Sequence, residues 1–224
     1  MLRYSRSGRP PRSARHLLAR AKSSVAVVQP ASPAGRSLAL PLAFLSVRGW
    51  DQPGLSGWDV WSRAFARKGY TSLLLEVDPS SAAAKATSSQ AFLASLEQDL
   101  VALLRNPSTA SPFPPLLFTS SASSLLAETY VSSHPLSGLC LHSPLAAPHA
   151  HKRLPAVFPT PLGEFNYEPL FPIAVVQPPG GEQPCRLLEE FGGEDEDALV
   201  QRIVAGRDEE GWQKVMDWMD ENGL

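Results

Sequence analysis

The chain predicts an α/β protein with a mostly parallel central sheet of about six to eight strands and helices on both faces. Three observations carry that prediction. Short apolar runs without polar alternation recur between residues 38 and 204, as strands buried on both faces require. Segments with helical apolar spacing lie between them. Near the middle, the run Pro115 to Thr119 meets a knot of small residues and continues into a helical pattern with no linker.

Taken in order, residues 1–22 are rich in arginine, contain serine and lack acids, the composition of a mitochondrial transit peptide. A disordered basic tail and a nucleic-acid-binding arm are the alternatives. Arg12 to Lys22 predicts a short amphipathic helix, with Leu17, Leu18 and Ala21 opposed by arginines. No apolar core of secretory-signal length follows the arginines. Residues 23–224 are expected to form a single domain.

Ser24 to Gln29 reads as a first short strand and Leu40 to Val47 as a buried one, ending in Arg48-Gly49-Trp50. Ser56-Gly57-Trp58-Asp59 resembles a capping box, with Asp in place of Glu. Trp58, Trp61 and Phe65 then give a helix one apolar face, and Gly69 stops it. Tyr70 to Val77 is the next strand and ends at Asp78-Pro79. Ser88 to Arg105 predicts a helix on Phe92, Leu93, Leu96, Leu100 and Leu103, ended by Asn106-Pro107.

Leu116 to Thr119 is a strand followed by a helix to Ser133, and Ser137 to His142 is another strand. Residues 143–171 are rich in proline without clear period, and read as a loop or reduced lid. Pro172 to Gln177 resumes the sheet, a short helix falls near Cys185 to Glu190, and Leu199 to Val204 fits a last strand. The final helix opens on Asp208, Glu209 and Glu210, which suit its dipole. Trp212, Val215, Met216 and Met219 give it a packing face.

Composition narrows the function classes. A net charge of −2 hides an asymmetry: residues 1–36 carry eight basic residues and no acid. The rest holds twelve basic against 22 acidic residues, which argues against nucleic-acid binding by the folded domain. Cys140 and Cys185 make no disulfide framework. No apolar run approaches the roughly 20 residues of a membrane span, so no integral membrane segment is expected. The 22 prolines, about twice average usage, point to long irregular connections.

The strand–turn–helix at 115–130 resembles a nucleophile elbow, G-x-S-x-G, with Thr119-Ser120-Ser121-Ala122-Ser123 at the five positions: the serine is kept and both glycines are replaced by other small residues. With Arg48-Gly49-Trp50, the passage Arg67 to Tyr70 followed by a strand ending in Asp78-Pro79, and Ser137 to Pro144, the chain resembles an α/β-hydrolase of the small single-domain type. The resemblance covers residues 38–145 well and 170–224 loosely. It implies Ser121 at the nucleophile position, with the Ala122 and Trp50 amides as oxyanion donors.

A serine nucleophile needs a base, usually a histidine oriented by a carboxylate. The resemblance places that histidine after the last strand, where this chain has Arg207; no histidine follows His151. Arginine stays protonated and cannot accept the serine proton. Glu182 is the stand-in for the acid, and His149 and His151, in the lid-like stretch, are the candidate bases. His142 reads as a strand-end residue and His134 as structural. His149-Ala150-His151 lacks the further ligands of a metal site, and no cofactor or metal is expected.

The sequence therefore predicts a mitochondrial, matrix-located protein of α/β-hydrolase type without catalysis. It would act as a binding or assembly component for a protein partner or a small apolar ligand. The alternatives are an active serine esterase, thioesterase or lipase using Ser121, and a subunit of a larger assembly whose basic arm contacts RNA.

Overall fold

A computed structural model describes residues 16–21, 24–32, 38–83, 86–107, 110–181, 183–193 and 198–224. Its strands are β1 (His16–Ala21), β2 (Ser24–Gln29), β3 (Leu42–Val47), β4 (Ser72–Val77), β5 (Leu116–Ser120), β6 (Gly138–His142), β7 (Ile173–Gln177) and β8 (Val200–Val204). Its helices are α1 (Asp59–Lys68), α2 (Ser80–Ala83), α3 (Ser89–Leu104), α4 (Ser124–Val131), α5 (Ala147–Arg153), α6 (Arg186–Phe191) and α7 (Glu209–Glu221). The sheet order is β1-β2-β4-β3-β5-β6-β7-β8. β1 and β2 form an antiparallel hairpin on β4, and every other pairing is parallel.

The parallel strands are apolar on both sides because helices cover both faces. Ala43, Leu45 and Val47 of β3 join a core with Phe92, Leu93, Leu96 and Leu100 of α3 and Leu125 and Leu126 of α4. Leu42 and Phe44 face the other way, toward Trp61 and Phe65 of α1 and Trp212, Val215 and Met219 of α7. That second core is an aromatic stack: Phe44 and Phe118 lie 4.7 Å apart nearly parallel, and Trp58, Trp61 and Phe65 ring them. Burying each such side chain contributes roughly 1.5–3 kcal/mol.

Four expectations differ from the structure. Residues 16–21 form strand rather than helix, because pairing with β2 supplies an inter-strand ladder that outweighs the Leu17, Leu18 and Ala21 spacing; residues 1–15 and 22 lie outside the described residues. The capping box is absent: Gly54–Trp58 is a 3₁₀ turn, Ser56 Oγ donates to the Pro53 carbonyl, and α1 begins uncapped by a side chain. The lid-like stretch 143–171 contains helix α5, whose Pro148 sits in its first turn, where the missing N–H costs nothing. The elbow helix ends at Val131, two residues before the expected Ser133.

Candidate functional site

Parallel strands place their C-terminal ends together, and the elbow sits there. β5 runs extended to Ser120, the chain reverses at Ser121, and a 3₁₀ turn leads straight into α4. Ser121 has φ +48°, a left-handed conformation that costs a non-glycine residue on the order of 1 kcal/mol. This turn holds the Ser121 side chain up and exposed.

Thr119 and Ser123, at the two glycine positions of the G-x-S-x-G pattern, are fully buried. Thr119 packs in the sheet with its hydroxyl unpartnered among the described residues. Ser123 Oγ accepts a hydrogen bond from the Val47 amide at 2.8 Å, tying the end of β3 to the start of α4. Ser123 thus joins the two elements through a hydroxyl bridge. Leu145 N–H closes the other side, donating to the Ser121 carbonyl at 3.1 Å.

The two amides expected to hold an oxyanion are both engaged. Ala122 N–H donates to Asp51 Oδ1 at 3.1 Å, and Trp50 N–H donates to the Val47 carbonyl at 3.1 Å. Asp51 is 5% exposed. Burial pushes its pKa up, opposed by hydrogen bonding from Ser123 and Ala122 and by the charge of Arg207. A developing oxyanion would have to displace this carboxyl group and would meet any negative charge it carries.

Arg207, on the loop after β8, folds back over the elbow. Its guanidinium donates to Ser120 Oγ at 3.2 Å and lies 4.9 Å from the Trp58 ring centroid. A Cβ on Gly57 would lie 2.9 Å from Arg207 Nη1, so glycine there makes room for the guanidinium. The loop is set by a second glycine: a Cβ on Gly211 would collide with the Gly206 carbonyl, and Asp208 caps α7 through the Gly211 amide. Burial lowers the Arg207 pKa and Asp51 raises it.

His142 closes β6 directly opposite Ser120. Its ring meets Trp58 and Trp61 edge-on, and its Nε2 is buried without a partner among the described residues. Burial, then the Arg207 charge, lowers its pKa to about 4, so it is neutral at physiological pH. His149 is exposed on α5. His151 is anchored by Nδ1 to the Phe158 carbonyl at 2.7 Å. His134 stacks on Tyr130 and pairs with Glu97 at 3.3 Å. None of these histidines hydrogen-bonds Ser121, and Glu182 lies outside the described residues.

Arg48, directly after β3, pins two strand ends together. It donates to Glu76 Oε1 at 2.8 and 2.6 Å and to Asp78 Oδ2 at 2.7 Å. Among the described residues no group of three or more His, Cys, Asp or Glu could hold a metal ion, and no helix is long and apolar enough to cross a membrane. Asp51 is the residue that sequence reasoning missed. Its one signal is an acid directly after Arg48-Gly49-Trp50, at the loop that faces the elbow.

No protein-family model and no curated protein matches the chain. Solved structures do match. One is an α/β hydrolase enzyme from the metagenome of sediments from the lagoon of Mar Chica, Morocco (16% identity, TM-score 0.59, covering 93% of this chain and 100% of that one). A second is a soluble variant of monoglyceride lipase from Saccharomyces cerevisiae (11%, 0.55, 97% and 96%). A third is a Xanthomonas campestris α/β serine hydrolase without lid (11%, 0.54, 95% and 94%). At these identities the likeness is one of fold.

Proposed function

The chain has the α/β-hydrolase fold, and we propose that it uses this fold for binding or assembly rather than for ester hydrolysis. The observation that carries this reading is the Asp51 carboxyl group on the Ala122 amide, where a hydrolase would hold its oxyanion. Two others support it. No described residue accepts a hydrogen bond from the Ser121 hydroxyl, and the position after β8 holds Arg207, a permanent cation. Removing even one triad member typically costs a serine hydrolase on the order of 10⁴-fold or more. The exposed, left-handed Ser121 is then the remnant of a turn that β5 and α4 still need.

The reading includes a mitochondrial matrix location, supported by the acid-free arginine-rich N-terminus. Cleavage after about residue 22 would also remove β1 and leave β2 as the sheet edge. Sequencing the mature N-terminus tests this: an intact residue 1 on protein from cells argues instead for a retained basic arm.

The alternative with a specific observation behind it is an active serine hydrolase, favoured by the +48° φ at Ser121. Hydrolysis of p-nitrophenyl acetate and butyrate by the wild type and by Ser121→Ala separates the two. Equal rates are expected. A wild-type rate a hundredfold above the variant's overturns the proposal.

A further inference from the structure

Two turns beyond the elbow, α4 carries a charged residue on its buried side. Glu128 is 8% exposed, and its carboxyl group makes no hydrogen bond to any described residue. Buried carboxyl groups are ordinarily hydrogen-bonded or paired, because an unpartnered one costs several kcal/mol when charged. This one lines a cleft of about 290 Å³ between α3 and α4, roofed by residues 162–166 of the proline-rich stretch.

The walls of the cleft have a definite chemistry. Leu93, Leu125 and Phe165 make part of it apolar. Glu97, Glu128 and Glu164 supply the ionisable groups, and among the described lining residues there is no lysine or arginine. Glu97 is paired with His134 at 3.3 Å, which leaves Glu128 and Glu164 without described basic partners in the cleft. On the far side of Glu128 a smaller space of about 30 Å³ is bordered by Cys185 and Arg186. Arg186 is committed to Glu190 and the Phe165 carbonyl, at 2.9 and 2.8 Å.

We infer that this cleft is a binding site for a small amphipathic amine, its ammonium group seated between Glu128 and Glu164 and its hydrocarbon body on Leu93, Leu125 and Phe165. The volume is at the small end for ligand pockets, which fits a single short chain or ring. The ammonium gives the Glu128 carboxyl the partner it lacks, and the apolar body displaces water from the leucines. A metal ion is a poorer occupant, since the described residues offer no set of three ligands.

Burial, with the Glu164 charge, raises the Glu128 pKa to about 8. Empty, the site therefore holds a neutral acid at neutral pH, and the amine binds with release of that proton. The charged and titratable groups facing Glu128 are Glu164, Glu97 with His134, Cys185, and Arg186 with Glu190. Amine affinity should rise about tenfold per pH unit below about pH 8 and level off above it.

Calorimetric titration of the full chain with n-hexylammonium chloride and with 1-hexanol tests the site. Hexylammonium is expected to bind, with hexanol at least tenfold weaker. Buffers of different ionisation enthalpy should report close to one proton released at about pH 7. Glu128→Gln, isosteric with the neutral acid, should keep the fold and lose at least tenfold in affinity. Glu164→Gln, at an exposed position, should lose a smaller factor. Equal binding of alcohol and ammonium, unchanged affinity in Glu128→Gln, absence of binding, or displacement of the amine by millimolar calcium would each overturn the inference. The outcome is independent of whether Ser121 reacts with esters.

Discussion

The elbow and the middle of α4 differ in what their polar groups meet. At the elbow, the Ala122 amide meets Asp51, the Val47 amide meets Ser123, and Arg207 covers Ser120 and Trp58. Two turns later, Glu128 is almost as buried as Asp51 and has no described hydrogen-bond partner. Catalysis needs donors held free for a charge that develops only in the transition state. The elbow has spent those donors within the fold. Glu128 differs in lining an open cleft, where a partner can reach it from outside. The difference separates a site closed by its own side chains from a cleft still open to a ligand.

Removing the open carboxyl should have the largest effect. Glu128 titrates near 4.5 unfolded and at about 8 folded, so the folded state holds its proton longer. That contribution is fully present below pH 4.5 and is lost as pH rises to about 8, on the order of 5 kcal/mol in all. Glu128→Gln should remove this slope in denaturant unfolding followed across that range. A variant whose stability keeps the wild-type slope would mean that the carboxyl has a partner after all.

His142 probes the closed end with the opposite sign. Its folded pKa is depressed to about 4 from 6.5, so stability is full above 6.5 and falls as pH drops toward 4, by on the order of 3 kcal/mol. His142→Phe should flatten that acid limb, measured in the Glu128→Gln background to remove the competing slope. Asp51→Ala strips the acceptor from the buried Ala122 amide and should cost about 1–3 kcal/mol by urea unfolding, without creating esterase activity. The smallest change expected is from Arg207→Gln, about 1 kcal/mol for the lost contact over Trp58, again by urea unfolding. A gain of ester hydrolysis in Arg207→His would show that only the base was missing.

Most of the architecture was legible because buried parallel strands write themselves as unbroken apolar runs: Leu42 to Val47, Leu116 to Ser120 and Ile173 to Gln177 lie close to their predicted spans. Helix α5 was not legible, since Ala147-Pro148-His149-Ala150-His151-Lys152-Arg153 buries only its two alanines and shows no apolar period. The strand at 16–21 was misread because local spacing cannot report a hairpin partner. At the site, Ser121 and Arg207 could be placed by order along the chain. Asp51 could not, because its role depends on how the loop after β3 folds against the elbow. Glu128 carried a signal that went unread, a lone acid inside the largely buried run Leu125-Leu126-Ala127-Glu128-Thr129-Tyr130-Val131.

The most direct test of a closed elbow is covalent. Full-length protein incubated with excess fluorophosphonate probe, followed by intact mass, reports whether Ser121 can be activated. The account predicts no added mass on the wild type, and none on Asp51→Asn. Stoichiometric labelling of the wild type that disappears in Ser121→Ala would contradict it.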